Sequence, residues 1–388
     1  MEIYLVGGAV RDALLGLAVV DRDYVVVGAT PEQLLALGYQ QVGKDFPVFL
    51  HPKSKDEYAL ARTERKSGAG YTGFICEFGP DITLEEDLAR RDLTINAIAQ
   101  DKSGHLHDFY GGQADLAART LRHVSDAFSE DPLRVLRVAR FAARFNDLGF
   151  TIAPETLTLM QHIADSGELN SLTPERIWKE TEKALASNTP QVFFEVLHRC
   201  QALGILFPEL ATLFSRDLTH HTALAQHSLQ ALLCSVSLTP ELACRFAVLC
   251  QKLDTDAINA LCQRIKVPTE HKELALLSSR WHNKLHQLRQ PSVEQAEDIL
   301  ALFQETDAWR RPQRFAQLLV CAHADWQVEA LSGPESTSYP QRAQLWLWFN
   351  ELKAITAAPF VAQGLTGPAI GQAMTHARLV QLQAWLTD

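Results

Sequence analysis

The spacing of apolar residues changes about a third of the way along this 388-residue chain, and that change limits the architectures open to it. Up to about Glu130, short β-branched runs bounded by Gly and Pro alternate with short helical windows. Strands are predicted over 3–6, 23–27, 47–51 and 58–63, helices over 10–15 and 31–37, and helical spacing continues from 84 to 99. This predicts an α/β sheet domain. From Pro132 onward apolar residues recur at intervals of three and four, as in Leu133, Leu136 and Phe141, then Ile177, Leu185, Phe193 and Leu197, so the remainder is predicted to be all-helical. Thr173 followed by Pro174 marks a helix start, because Thr can cap and Pro fits the first turn without losing a hydrogen bond. A polar loop is expected over 332–340.

Composition narrows the functional classes. With 47% hydrophobic and 21% charged residues, the chain is too long for one core, and two or more domains are expected. Thirty-six Lys and Arg against forty-six Asp and Glu leave a net charge of -10, which argues against a protein that coats nucleic acid by bulk positive charge. A polyanionic partner must instead meet a local basic patch. The opening MEIYLVGGAV lacks the basic start of a signal peptide, and no stretch approaches the roughly 18 apolar residues of a membrane span. Seven scattered cysteines, never spaced as CxxC, fit reduced thiols, so a cytoplasmic location is expected.

The chemistry is carried by four clusters. Gly7-Gly8-Ala9-Val10-Arg11 follows the opening strand; glycines let backbone amides approach a phosphate, and Arg11 on the following helix can reach the same anion. A tight strand-to-helix turn would read the same way. Asp21-Arg22-Asp23 leads into an apolar strand, where residues i and i+2 share a face, so two carboxylates project together and suit a hard cation such as Mg²⁺. Arg91, Asp92 and Asn96 fall in a window read as helical, with Asp92 and Asn96 one turn apart; Arg91 could hold phosphate oxygens while the other two hold a sugar hydroxyl. Arg134, Arg137 and Arg140 step by three along one helix face, with Asp131 at its start and no Glu between Pro132 and Arg144. Such a stripe expects a phosphate-rich ligand or a lining of carboxylates. Asp131 and Arg134 also present acceptor and donor edges that could pair with a base.

Taken together, these residues resemble the class II tRNA nucleotidyltransferases, the CCA-adding enzymes, most of all the gamma-proteobacterial type, almost without gaps to about Pro208. Gly7, Gly8, Arg11, Asp21 and Asp23 match the family's phosphate and metal motif. Arg90, Arg91, Asp92, Asn96 and Ala97 match the motif that contacts sugar and triphosphate. Glu130, Asp131 and Arg134 match the protein template for the incoming base, and Arg137 and Arg140 match nucleotide-binding positions. The run from Asp108 to Leu116 matches the hinge-like motif, and Pro174-Glu-Arg-Ile-Trp-Lys-Glu the helix that buttresses the neck.

The resemblance implies a nucleotidyltransferase head with a small mixed sheet over 1–130, a helical neck over 131–205 and a helical body and tail over 206–388 that binds tRNA. It implies template-independent addition of C, C and A to tRNA from CTP and ATP, with pyrophosphate released and Mg²⁺ held by Asp21 and Asp23. Residues 65–73 lie in the family's flexible loop. One departure concerns the body: where close relatives carry the His-Asp pair of a phosphohydrolase, this chain reads Gln251-Lys252, with His227 aligned upstream. Hydrolytic activity is therefore expected to be absent, and His220, His221 and His282 are read as ordinary histidines. A poly(A) polymerase of the same superfamily and a silent RNA-binding relative are the rival readings; a basic extension would favour the first and loss of the carboxylates the second. No general base stands out, with Glu57 and Glu64 as candidates.

Overall fold

The computed structural model describes residues 1–42, 48–66, 74–214, 221–331 and 338–387, and among the side chains it leaves out those of 64–66, 74–76 and 221–223. The loop over 67–73, most of the polar loop expected over 332–340, and His220 lie outside the described residues, as does the side chain of His221. The chain divides into two compact units, Met1–Leu206 and Phe207–Asp388.

The first unit is built on a mixed sheet. Its strands are β1 (Glu2–Val6), β2 (Asp23–Val27), β3 (Gln40–Val42), β4 (Val48–Leu50), β5 (Glu57–Leu60), β8 (Ala99–Gln100) and β9 (Leu106–His107), in the order β3-β4-β5-β2-β1-β8-β9. β6 (Arg62–Lys66) and β7 (Phe74–Phe78) form a separate antiparallel pair, so the single run expected over 58–63 is broken at Ala61. β2 runs antiparallel to β1 and parallel to β5, with Asp23 in register with Glu57. The apolar run of β2 is continuous because both faces are covered. Val25 packs with Tyr4, Val6, Leu84, Leu88, Ala97 and Ala99, whereas Val26 packs with Leu34, Phe49 and Leu60. These clusters hold α3 (Leu84–Ala89) against one face and α2 (Pro31–Ala36) against the other; α1 (Gly8–Leu14) connects β1 to β2.

The helix expected over 84–99 ends at Ala89. Thr83 and Glu86 form a capping box at its start, Leu93 is extended and bridges to His123, and a single 3₁₀ turn spans Thr94–Asn96 before β8. The apolar spacing reported burial correctly and conformation incorrectly, since a bent segment packed on all sides shows the same spacing as a buried helix.

α4 (Gly112–Ala117) packs against that turn. An added Cβ at Gly112 would lie 2.3 Å from the Thr94 carbonyl oxygen and 2.7 Å from Ile98, and the Gly112 amide donates to Asp108 at 2.7 Å. Gly112→Ala is therefore expected to cost about 1–3 kcal/mol by overpacking, measured as a lower denaturation midpoint at unchanged slope. A short parallel pair, β10 (Thr120–Leu121) and β11 (Thr151–Ile152), flanks α5 (Leu133–Phe145). Then follow α6 (Pro154–Asp165), α7 (Pro174–Leu185), α8 (Gln191–Arg199) and α9 (Leu203–Leu206). α5 packs on α7 and α8, burying Val135, Leu136, Ala139, Phe141 and Phe145, and Thr189 donates to the Ala143 carbonyl at 2.7 Å.

The second unit is helical: α10 (Pro208–Ala211), α11 (His221–Leu238), α12 (Leu242–Cys250), α13 (Thr255–Arg264), α14 (Thr269–Gln287), α15 (Ala296–Glu305), α16 (Pro312–Leu331), α17 (Pro340–Lys353), α18 (Ala358–Ala362) and α19 (Pro368–Thr387). α11, α12, α14 and α16 pack on one another as its core. Among the described residues no helix is long and apolar enough to cross a membrane.

Candidate active site

A cleft of about 620 Å³ in the first unit brings the sequence clusters together. Among the described residues nine arginines line it (Arg11, Arg62, Arg90, Arg91, Arg134, Arg137, Arg140, Arg144 and Arg176), against the four carboxylates Asp23, Glu57, Asp92 and Asp131. A strong local excess of positive charge thus sits in a chain that is acidic as a whole.

Gly7 and Gly8 line the cleft at the end of β1. Gly7 has φ +67°, and an added Cβ there would lie 2.9 Å from an Arg91 guanidinium nitrogen, so backbone freedom and close approach both call for glycine. Asp23 opens β2 and lines the cleft beside Glu57, whereas Asp21 lies on the exposed segment before the strand. Burial raises the Asp23 pKa; Arg91 opposes that rise and Asp21 adds to it, so the two carboxylates sense each other.

Arg11, Asp92, Asn96 and Arg137 form one hydrogen-bonded chain. Arg11 is 3% exposed, donates to Asn96 Oδ1 at 2.5 Å and to Asp12 at 2.8 Å, and lies about 5 Å from the ring centres of Phe141 and Phe145. Asn96 donates to Asp92 Oδ1 at 2.9 Å, and Arg137 pairs with Asp92 Oδ2 at 2.7 Å. Burial alone would raise the Asp92 pKa, but Arg137 and the hydrogen bonds from Asn96 and the Leu93 amide hold it well below the usual carboxylate range. The side chains of Asp92 and Asn96 meet as expected, although by a bend and a 3₁₀ turn rather than along a helix face.

The α5 arginines find their acids on other elements. Arg137 pairs with Asp92 and Arg140 donates to Glu180 of α7 at 2.5 Å. Arg134 donates to the carbonyls of Ala127 and Arg90, both at 2.5 Å, and Asp131 pairs with Arg176 of α7 at 3.0 Å. Asp87, fully buried, anchors the floor: it accepts from Arg90 at 2.7 Å, from Arg91 at 3.3 Å and from the Arg62 amide at 3.2 Å. The sequence reading missed Arg62, Arg144 and Arg176 as lining residues, because their positions depend on long-range packing. Arg144 shared the spacing signal of the α5 stripe, and it reaches back to Asp12 at 2.9 Å.

Among the described residues no cluster of three or more side chains stands ready to hold a metal ion. Asp21 and Asp23 offer two hard oxygen donors, which fits a Mg²⁺ that takes its remaining ligands from water and phosphate.

Residues 3–122 match the family described as the Poly A polymerase head domain, and residues 149–214 the family described as a probable RNA and SrmB-binding site of polymerase A. A protein of Tolumonas auensis described as a multifunctional CCA protein is 50% identical over 409 aligned residues, covering 99% of this chain and 98% of its own. Similar solved folds include an apo form of a CCA-adding enzyme, with TM-score 0.69, 20% identity and coverage of 98% of this chain and 88% of that one. The Thermotoga maritima CCA-adding enzyme complexed with tRNA has TM-score 0.66 and 20% identity, with coverage of 99% and 87%. A CCA-adding enzyme complexed with CTP has TM-score 0.68 and 21% identity, with coverage of 98% and 87%. These define a nucleotidyltransferase fold of the poly(A) polymerase superfamily. Within it, the chain belongs to the CCA-adding tRNA nucleotidyltransferases.

Proposed function

We propose that this chain adds C, C and A to the 3′ end of tRNA from CTP and ATP, releasing pyrophosphate, at the arginine-lined cleft. The observation that carries the reading is the opposition of Asp23, with Asp21 beside it, to a wall of arginines from α5 and the segment after α3. A triphosphate needs that positive wall, and phosphoryl transfer relies on positioning and electrostatics more than on covalent chemistry. Asp21 and Asp23 would hold Mg²⁺, which when bound supplies charge neutralisation at the attacked phosphate and a lower pKa for the attacking hydroxyl. The Gly8 amide, with Arg91, would cradle the phosphates, while the Gly7 amide donates to the Ile98 carbonyl at 3.4 Å. Asp92 and Asn96, held rigid by Arg137 and Arg11, would take the sugar, and Glu57, next to Asp23, is the candidate base.

Asp131 and Arg134 would read the base. Arg176 pairs with Asp131, and the carbonyls of Ala127 and Arg90 accept from Arg134, so a base would have to exchange for these partners. Arg134→Ala is expected to lower the preference for CTP and ATP over UTP and GTP, read as kcat/KM ratios, by tenfold or more; unchanged ratios would remove the template role. The domain roles follow: head 1–130, neck 131–205, body and tail 206–388 gripping the tRNA.

The second unit is proposed to hydrolyse nothing. Asp325, fully buried on α16, accepts from His227 and Gln251 at 2.5 Å, His286 at 2.8 Å and the Lys252 ammonium at 3.2 Å. An ammonium stands where a cation-binding carboxylate would need its metal, so these residues do not fit a divalent ion. Release of phosphate from nucleotide monoesters, or cleavage of 2′,3′-cyclic phosphates, with Ni²⁺ or Co²⁺ present is expected to match the blank; measurable turnover would overturn this.

The whole reading is tested with purified chain, Mg²⁺, labelled CTP and ATP, and tRNA lacking its last three nucleotides. The product should grow by three residues and stop. Long A tracts on generic RNA would establish a poly(A) polymerase instead.

A further inference from the structure

Asp12 holds two of the cleft arginines without itself lining the cleft. It is 7% exposed and stands outside the described lining, yet Arg11 and Arg144, which are part of that lining, both end on its carboxylate. Oδ1 accepts from Nε and Nη2 of Arg11, both at 2.8 Å, and Oδ2 accepts from Arg144 of α5 at 2.9 Å. Residues i and i+1 of a helix do not face each other, so the Arg11–Asp12 pair on α1 is no default of helical geometry. It exists because the guanidinium, lying about 5 Å from the ring centres of Phe141 and Phe145, turns its Nε edge to Asp12 and its Nη1 to Asn96 Oδ1. Arg144 ties the same carboxylate to α5, the helix that also carries Arg137, the partner of Asp92. Both members of the Asp92–Asn96 pair are thereby referenced to one helix.

We propose that Asp12 is a positioning residue for sugar selection: it holds Arg11 so that Arg11 fixes which edge of the Asn96 amide meets the ribose. The inference rests on the reading in which Asp92 and Asn96 take the sugar, and it names what keeps that pair oriented. A side-chain amide has two edges of similar size and opposite hydrogen-bonding character, and its neighbours decide which way it points. Arg11 donates to Oδ1 while Nδ2 donates to Asp92 at 2.9 Å, so one orientation satisfies both partners and the flipped one satisfies neither. Without the Asp12 carboxylate, Arg11 is a buried cation drawn toward Asp92, which already attracts it, and Asn96 loses the donor that sets its direction. The loss falls on a nucleotide whose sugar hydroxyl uses that amide. A deoxynucleotide, which lacks the hydroxyl, has nothing there to lose.

The test is the full-length Asp12→Asn variant, assayed for ATP against dATP on tRNA ending in CC and for CTP against dCTP on tRNA lacking CCA. The native chain should prefer each ribonucleotide, and the variant should lower that preference, read as kcat/KM ratios, about tenfold, with the preference for CTP and ATP over UTP and GTP unchanged. In an Asn96→Ala background, Asp12→Asn should move the ratio no further, because both changes act through one amide. Asp12→Glu, which keeps the carboxylate, should recover most of the preference. An equal loss on ribonucleotides and deoxynucleotides would leave Asp12 a purely structural role and overturn the proposal. Should Asp12→Asn not fold, Arg144→Gln, on a half-exposed side chain, loosens the same carboxylate; a ratio lowered a few-fold supports the proposal and an unchanged one overturns it. Asn96→Ala separates the two readings: an unchanged ratio in that variant sinks the sugar role itself, whereas a lowered ratio there beside a native one in Asp12→Asn sinks this inference alone. The ratio of Kd for ATP and dATP, measured without tRNA, carries the same signature and does not depend on CCA addition.

Discussion

Asp23→Asn should abolish nucleotide incorporation, by a thousandfold or more, about 4 kcal/mol of transition-state stabilisation, while the protein stays folded. The two halves of that expectation have different causes. Activity depends on the negative charge, because the amide offers one neutral oxygen where the carboxylate holds a cation against the phosphates. Stability does not depend on it. Burial raises the Asp23 pKa, Arg91 opposes that rise and Asp21 adds to it, so neutralising the side chain gives up the Arg91 attraction but relieves desolvation and the like-charge contact, and the fold loses little. Near-native turnover by Asp23→Asn, with a native denaturation midpoint, would remove the metal role.

Asp325→Ala should do the opposite, leaving the cleft untouched and destabilising the second unit by about 3–5 kcal/mol. Deleting the carboxylate strands the Lys252 ammonium and two imidazoles whose donors point inward. Calorimetry should show a transition for residues 207–388 that falls by roughly 10 °C. The pH dependence carries the same signature. Burial alone would raise the Asp325 pKa, but the hydrogen bonds from His227 and His286 and the charge of Lys252 hold it far below the usual carboxylate range. A depressed folded pKa means stability that is fully present above the unfolded value near 4 and is lost as the pH falls below it. The native protein should therefore lose more stability than the variant between about pH 5 and pH 2. Parallel acid curves for the two would show that Asp325 does not carry this charge.

Much of the catalytic half was legible because its signals are local. Two glycines at a strand end and three arginines at i, i+3, i+6 each need only the geometry of one element to acquire a meaning; of the two acids at i, i+2, Asp23 opens the strand and lines the cleft, while Asp21 precedes the strand. What failed was also local: the window over 84–99 has helical spacing, yet it breaks after Ala89, because Leu93 pairs with His123 and Gly112 presses on Thr94. Those partners lie tens of residues away and leave no trace in the window itself. The partners of the arginines were invisible for the same reason. Glu180 and Arg176 sit on α7, forty or more residues beyond Arg140 and Asp131.

The sequence by itself determined the order of sheet and helices, the acidic pair, the glycine turn and the arginine-bearing helix, since each follows from periodicity and side-chain chemistry over a few consecutive residues. Only the tertiary structure decided which acids answer Arg137, Arg140 and Arg176, and that Lys252 pairs with Asp325. Pairing of charges depends on distances set by packing between elements, and a buried charge settles its energy with whichever partner that packing brings within a few ångströms.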